Sequence, residues 1–220
     1  MLLRQRRNCL PTGRWIAVHV RAPTSCCTKP RPRQEYRSRI YIPVNCFYDV
    51  RMGLVVLTGA SGSGKTAIAE AIASRYAGDV DVYHFDRAGV PPVEEMIAKY
   101  GSGEAWQRAM TFEWLARLAA TPYTGRTILF EGQMRLSFVS QAAAAAGIRD
   151  YALVLVDCDD ATRTKRLALD RRDQDLANPT MMAWARHLRD EAKQLRCTIL
   201  DTSRAPFEVC IEQVWTLLNQ

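Results

Sequence analysis

Residues 54–73 read LVVLTGASGSGKTAIAEAIA: a short β-prone apolar run, a loop of small residues, then a lysine and a helical pattern. The loop, GASGSGKT at 59–66, satisfies the spacing G-x-x-x-x-G-K-[ST], and it has the strand before and the helix after that this spacing requires. Small residues let the main chain wrap an anion with successive N–H groups pointing inward, and a helix beginning near Lys65 adds the positive end of its dipole. A side chain inside the wrap would occupy the space of a phosphate. Gly59, Ala60, Ser61, Gly62, Ser63, Gly64, Lys65 and Thr66 are therefore expected to cradle a nucleotide polyphosphate. Lys65 would reach the β and γ phosphates and the Thr66 hydroxyl would ligate Mg²⁺. A turn that only joined strand to helix would need neither the second and third glycines nor a lysine followed by a hydroxyl.

Strand and helix patterns keep alternating downstream. The runs VDVYHFD (80–86), TILFEG (127–132), YALVLVD (151–157) and CTILDT (197–202) are separated by helical segments. All but the first of these four are nearly continuous apolar stretches, as suits strands covered on both faces. The alternation predicts right-handed crossovers and a parallel sheet between helical layers, a three-layer α/β/α fold. Gly101 and Gly103 predict that the helical region between the second and third strands breaks in two. In such sheets ligands gather outside the carboxyl ends of the strands, which here read Gly59, Asp86, Glu131, Asp157 and Asp201.

The net charge of +7 suggests a polyanionic partner until it is located along the chain of 220 residues. Residues 1–51 hold 11 of the 30 Lys and Arg against only Glu35 and Asp49, a net +9, which leaves residues 52–220 at −2. The basic segment is rich in Arg and Pro and has no helical periodicity, so a mostly disordered extension is expected there. It has three readings: an organellar targeting segment, a basic arm for nucleic acid, or translation from a start upstream of Met52. Residues 52–220 are expected to form one globular domain, with the chain's 48% hydrophobic content enough for a core. Nucleic acid is not the expected partner of this slightly acidic domain. Nor is a membrane, since no apolar run approaches the ~20 residues of a span. The seven cysteines are scattered without a C-x-x-C pair, which argues against a zinc site or a disulfide framework and for a reducing cytoplasm. Cys158, Cys197 and Cys210 read as small buried hydrophobes.

The remaining strand ends offer candidates with two readings each. Asp86 could accept a proton from, or hold, an acceptor hydroxyl, or it could simply form a turn. His84, two residues earlier, reads as a satisfied core histidine. Glu131, at the end of an apolar run, stands where a carboxylate would contact Mg²⁺ through water, and Gly132 beside it would leave space for a ligand. Arg135 could grip an anionic group on an acceptor or be an ordinary surface arginine. Arg163 and Arg166, with Arg171 and Arg172 beyond them, could be delivered by a closing lid to the charge that develops in phosphoryl transfer. Equally, they could be a charged helix face paired with Asp160 and Asp170. Trp106, Met110, Trp114 and Leu118 repeat every four residues and read as helix packing, as do Met181, Met182 and Trp184.

These residues together resemble the small P-loop kinases: nucleoside monophosphate kinases, shikimate kinase and gluconate kinase. The resemblance covers 52–220. GASGSGKT is similar to their phosphate loop, ILFEGQMR to the aspartate-glycine-x-proline-arginine signature of adenylate kinases, and DCDDATRTKRL to the helix that leads into their lid. TILDTS before a closing helix looks like their common ending. The resemblance implies a P-loop NTPase fold with five parallel strands in the order 2-3-1-4-5 and a small lid. It further implies ATP and Mg²⁺ as cofactors, with Lys65, Asp86, Arg135, Arg163, Arg166 and Arg172 in the family's catalytic and binding roles. Thr66 and Glu131 would serve the metal, and Asp86, Glu131 and Arg135 the acceptor. Glu131 and Met134 depart from the signature's aspartate and proline. The segment HFDRAGVPPVEEM lacks the nucleotide-kinase pattern, so a non-nucleotide acceptor is favoured.

The expectation is a cytoplasmic, monomeric or dimeric phosphotransferase acting on a small molecule. Its rival is an ATPase or switch module whose basic extension engages a macromolecule. Deleting residues 1–51 is expected to leave the thermal melting midpoint and nucleotide turnover unchanged, as checked by calorimetry and a phosphate-release assay.

Overall fold

The computed structural model describes residues 53–122, 124–170 and 174–219. The basic extension, Arg171 and Arg172 lie outside the described residues, as do the expectations attached to them.

Strand β1 (Leu54–Thr58) is buried at every position because it is the middle of the sheet. Strands β3 (Thr127–Gly132) and β4 (Tyr151–Asp157) flank it, β2 (Val80–His84) lies outside β3, and β5 (Thr198–Asp201) lies outside β4. All pairs are parallel and the order is 2-3-1-4-5, as the resemblance implies. The crossovers are made by helices α1 (Lys65–Arg75), α2 (Val93–Tyr100), α3 (Gly103–Ala120), α4 (Leu136–Ala145), α5 (Asp160–Lys165) and α6 (Pro179–Gln194), and α7 (Phe207–Leu218) follows the last strand. The two-glycine break appears as expected between α2 and α3, where the Ser102 hydroxyl caps the new helix by accepting from Ala105 N at 3.0 Å.

Strand alternation sorts the core into two layers. Val55, Leu57 and Leu129 face one side and pack with Ile68 and Ile72 of α1 and Ile211 and Val214 of α7. Leu54, Val56 and Phe130 face the other and pack with Trp106, Leu115 and Leu118 of α3 and Val139 of α4. Trp106 and Leu118 are buried, and Met110 and Trp114 are partly buried against the same layer, so the four-residue stripe is helix packing. Trp184 and Met181 of α6 pack similarly over Leu136 and Leu155.

The largest boundary difference from expectation is at the end of β2. β2 ends at His84, and residues Phe85–Ala88 form a 3-10 turn. The cause is Phe85, which leaves the strand to bury its ring against Trp106 and Phe130. Gly132 is the counterpart: a Cβ there would lie 2.3 Å from that of Phe85. Its small size serves core packing, which corrects the expectation that it leaves room for a ligand.

Two long-range polar contacts fix the turn between β3 and α4. The Thr58 hydroxyl donates to Met134 O and accepts from Met134 N at 3.0 Å. From α6, Glu191 caps α4 by accepting from Leu136 N at 2.8 Å and from the Ser137 hydroxyl. Leu129→Ala, in the buried middle of β3, is expected to cost about 2–5 kcal/mol with an unchanged denaturant m-value, as measured by urea unfolding.

Candidate active site

The loop leaving β1 is shaped by contacts on its outer side. A Cβ at Gly59 would come within 2.2 Å of the Val156 carbonyl of the neighbouring strand, so only glycine lets β1 turn here beside β4. Gly62 and Gly64 have φ of 78° and 95°, the left-handed region that L side chains rarely adopt. The glycines thus answer to main-chain geometry and to β4 as well as to space inside the loop. Ser63 N closes the turn on Ala60 O at 3.2 Å, and α1 begins at Lys65 with no side-chain cap and no acid in its first turn. α1 thus brings no acid of its own to compete for its first-turn amides. Lys65 is buried at this helix start.

Glu131 reaches the same place from β3. Its carboxylate oxygens lie 3.4 and 3.5 Å from the Thr66 hydroxyl, longer than a good O–H···O bond, so a hydroxyl and a carboxylate converge without consuming one another. His84 is opposite Glu131 in the β2–β3 register, and its Nδ1 lies 2.6 Å from Glu131 Oε1. The core histidine is thus satisfied as expected, and its partner is the site carboxylate.

The two arginines of the expected lid helix are braces of the loop. Arg163 is 0% exposed and sits under the phosphate loop. It donates to Ser61 O at 2.7 Å, to Asp157 Oδ1 at 2.7 Å and to Cys158 O at 3.3 Å. Arg189 of α6 takes the other Asp157 oxygen at 2.6 Å, which raises the Arg189 guanidinium above its ordinary value. Arg163 is neither a lid arginine open to a ligand nor part of a solvated helix face. Its six-residue distance from Asp157 lets α5 fold back on the strand that precedes it. Asp160 pairs instead with Arg186, at 3.5 Å.

Arg166 opens a π-helical turn, Arg166–Asp170, that continues α5. It donates to Gly62 O at 3.3 Å, Ser63 O at 3.2 Å, the Thr202 hydroxyl at 2.8 Å and Thr202 O at 3.0 Å. Arg166 also lines a cavity of about 420 Å³ on the outer side of the loop, together with Gly64, Ile68, Thr202, Phe207 and Cys210. Cys158 and Cys210 are buried and Cys197 is half-buried; burial pushes the Cys158 thiol up despite the pull of Arg163 and Arg166.

Arg135 and Asp86 mark the other side of the sheet's carboxyl edge. Asp86 is exposed in the 3-10 turn after β2, where its carbonyl accepts from Gly89 N at 3.0 Å. Its main chain makes a turn directly after β2, the strand that lies outside β3. Arg135 precedes α4, forms a two-pronged ion pair with Glu104 of α3 at 3.0 and 3.1 Å, and lies over the rings of Phe138 and Trp184. Gln107 joins it to the neighbouring turn: Gln107 Nε2 donates to Gln133 O at 2.9 Å and Arg135 N donates to Gln107 Oε1 at 3.3 Å. Gln133 in turn accepts from the Ser61 hydroxyl at 3.2 Å, which ties this side to the phosphate loop.

Sequence reasoning missed Glu104, Gln107, Gln133, Asp157 as a clamp, Arg189 and Thr202. Asp157 carried a signal in its place at a strand's carboxyl end, and Gln133 and Thr202 lay within the runs ILFEGQMR and TILDTS without being singled out. Among the described residues the structure brings Thr66, Glu131 and the loop together, with Arg163 and Arg166 behind the loop, while Arg135 is paired with Glu104 and Asp86 is exposed in the turn after β2.

No protein-family model matches the sequence, and no curated protein matches it significantly. Solved structures do match its architecture. A sugar kinase from Janibacter sp. HTCC2649 superposes with a TM-score of 0.53 at 20% identity, over 76% of this chain and 94% of that one. Shikimate kinase from Acinetobacter baumannii gives 0.52 at 14% identity, over 76% and 92%. A gluconokinase from Sinorhizobium meliloti 1021 gives 0.51 at 16% identity, over 77% and 93%. The chain has the fold of the small P-loop kinases.

Arg163→Ala, which strands the Asp157 carboxylate beside one remaining guanidinium, is expected to cost about 3–5 kcal/mol. Arg189→Ala should cost less, because its side chain is 30% exposed and water can replace it. Chemical unfolding of the two variants checks the order.

Proposed function

We propose that the protein is an ATP-dependent kinase that transfers the γ-phosphoryl group to a hydroxyl of a small, non-nucleotide acceptor. The convergence of Thr66 and Glu131 beside the loop of residues 59–66 carries this reading. The loop amides and Lys65 would bind the polyphosphate. The cavity of about 420 Å³ suits a nucleobase, with apolar Ile68 and the exposed ring of Phe207 for its faces and Thr202 for a polar edge. A hydroxyl and a carboxylate are hard oxygen donors suited to Mg²⁺, which uses one or two carboxylates and completes its shell with water and phosphate oxygens. That economy agrees with there being no cluster of three His, Cys, Asp or Glu among the described residues. Thr66 and Glu131 would hold the ion, and when bound it would neutralise charge on the β and γ oxygens.

In the reaction, an acceptor hydroxyl attacks the γ phosphorus in line as the bond to the β-phosphate oxygen breaks, and Asp86 takes the hydroxyl proton. Arg135 orients the acceptor, and Arg166 steadies the loop through the carbonyls of Gly62 and Ser63 while bordering the base cavity. Positioning and electrostatics supply the catalysis, without a covalent enzyme intermediate. Arg172 remains a proposed lid residue. Free cysteines and no helix long and apolar enough to cross a membrane, both among the described residues, are compatible with a cytoplasmic enzyme.

The test is to incubate the full chain with ATP, Mg²⁺ and a metabolite mixture and to seek the compound that gains the mass of a phosphoryl group. Lys65→Ala should lower that transfer by about 10²–10³-fold or more with the fold intact. Asp86→Asn should reduce transfer more than ATP binding. ATP hydrolysis that no metabolite alters, but a macromolecule stimulates, would favour the switch or ATPase instead.

A further inference from the structure

Glu131 is held by more than its strand. Parallel register sets His84 of β2 opposite Glu131 of β3, and their side chains meet at 2.6 Å with both almost wholly removed from solvent. An ionised carboxylate can only accept, so the ring must carry its proton on Nδ1 and donate it to Oε1. The Thr66 hydroxyl approaches the same carboxylate from the phosphate-loop side, 3.5 Å from Oε1 and 3.4 Å from Oε2. The carboxylate is therefore held at Oε1 from β2, with both of its oxygens turned toward Thr66 of α1 at nearly equal distance.

A buried glutamate has three torsions, and each leaves it rotamers that would turn the carboxylate away from Thr66. A short hydrogen bond from a rigid ring on the adjacent strand removes that freedom. A purely structural pair would be needed least here: β2 and β3 are already joined by five ladder positions and by the packing of Phe85 over Gly132. An apolar pair at the end of this ladder would cost no buried charge.

Resting on the reading of Thr66 and Glu131 as the Mg²⁺ site, we propose that His84 is a positioning residue for the metal. Its Nδ1–H fixes the Glu131 carboxylate at Oε1 and so holds it toward Thr66 and the ion that the two residues would share. The inference extends the site across a third strand, to a residue that touches neither nucleotide nor acceptor. Such outer partners of metal-binding groups are worth about 10–100-fold in metal affinity.

The experiment titrates ADP into the full-length protein by calorimetry, with Mg²⁺ and without it, for wild type, His84→Asn, His84→Gln and His84→Phe. Asparagine can put its amide N–H where Nδ1 stands; glutamine reaches one bond too far and phenylalanine has no donor. Wild type and His84→Asn should show tighter ADP binding when Mg²⁺ is added. His84→Gln and His84→Phe should lose about tenfold or more of that tightening, with Mg²⁺-free ADP affinity unchanged. Adding Glu131→Gln to His84→Phe should weaken Mg²⁺-dependent binding no further than Glu131→Gln alone. Full tightening in His84→Phe overturns the proposal, and so does equal loss of Mg²⁺-free binding in every variant, which marks a structural role. If His84→Phe does not fold, the contrast between asparagine and glutamine decides. Failure of the wild type to bind ADP under either condition instead refutes the nucleotide reading itself.

Discussion

The phosphate loop holds its shape because its carbonyls are tied down from behind. A wrap of small residues whose amides converge on one point has to turn its carbonyls outward, and some of those are removed from water. Arg163 takes Ser61 O, while Arg166 takes Gly62 O and Ser63 O. Arg163 can be buried only because Asp157 compensates its charge, and Asp157 is itself shared with Arg189. A guanidinium presents several donors in a fixed plane, so one side chain can bond a carboxylate and a main-chain carbonyl together, which an ammonium on a flexible stem does poorly. The rigidity of the loop thus comes from a charge cluster beneath it, built from β4, α5 and α6.

That cluster also connects elements that the chain separates. Arg189 comes from α6, beyond the turns that follow α5, and the same helix sends Glu191 to cap α4. The position of α6 is therefore felt at the phosphate loop through Asp157 and Arg163, and at the Arg135 turn through the cap. Trp184, one turn from α6's start, lies against Arg135 as well. One helix braces both halves of the candidate site, and its own amino end follows the segment expected to be a lid.

The fold was legible because its signals are local. Five strands, the break between α2 and α3, and the loop of residues 59–66 each rest on consecutive residues whose burial or main-chain geometry is decided nearby. The boundary misread by most, the end of β2, was set by a contact 47 residues away in sequence, Phe85 against Gly132. The arginines failed for the same reason. Spacing alone could not tell Arg163 on a solvated face from Arg163 beneath the loop, because the difference lies in Ser61 and in whether Asp157 or Asp160 is the partner. Asp157 was visible only as a strand end. Glu131 was legible as a carboxylate beside Thr66, but its bond to His84 depends on the β2–β3 register, which a sequence does not print.

The two sides of the sheet's carboxyl edge are consequently encoded in different ways. The side of the loop at residues 59–66 is written in one continuous motif, backed by arginines that hold its main chain. The other side is a set of pairs from distant segments: Glu104 and Gln107 on α3 against Gln133 and Arg135 after β3. The Arg135–Glu104 pair is neutral as a unit and partly exposed, with side chains 26% and 55% accessible, so an incoming group can separate it at modest cost. An anionic group would have to displace Glu104 from Arg135, whereas a neutral, hydroxyl-rich molecule could bond to both charges where they stand. If this side takes the acceptor, as proposed, the charge balance of that pair favours a polyol over a phosphate ester.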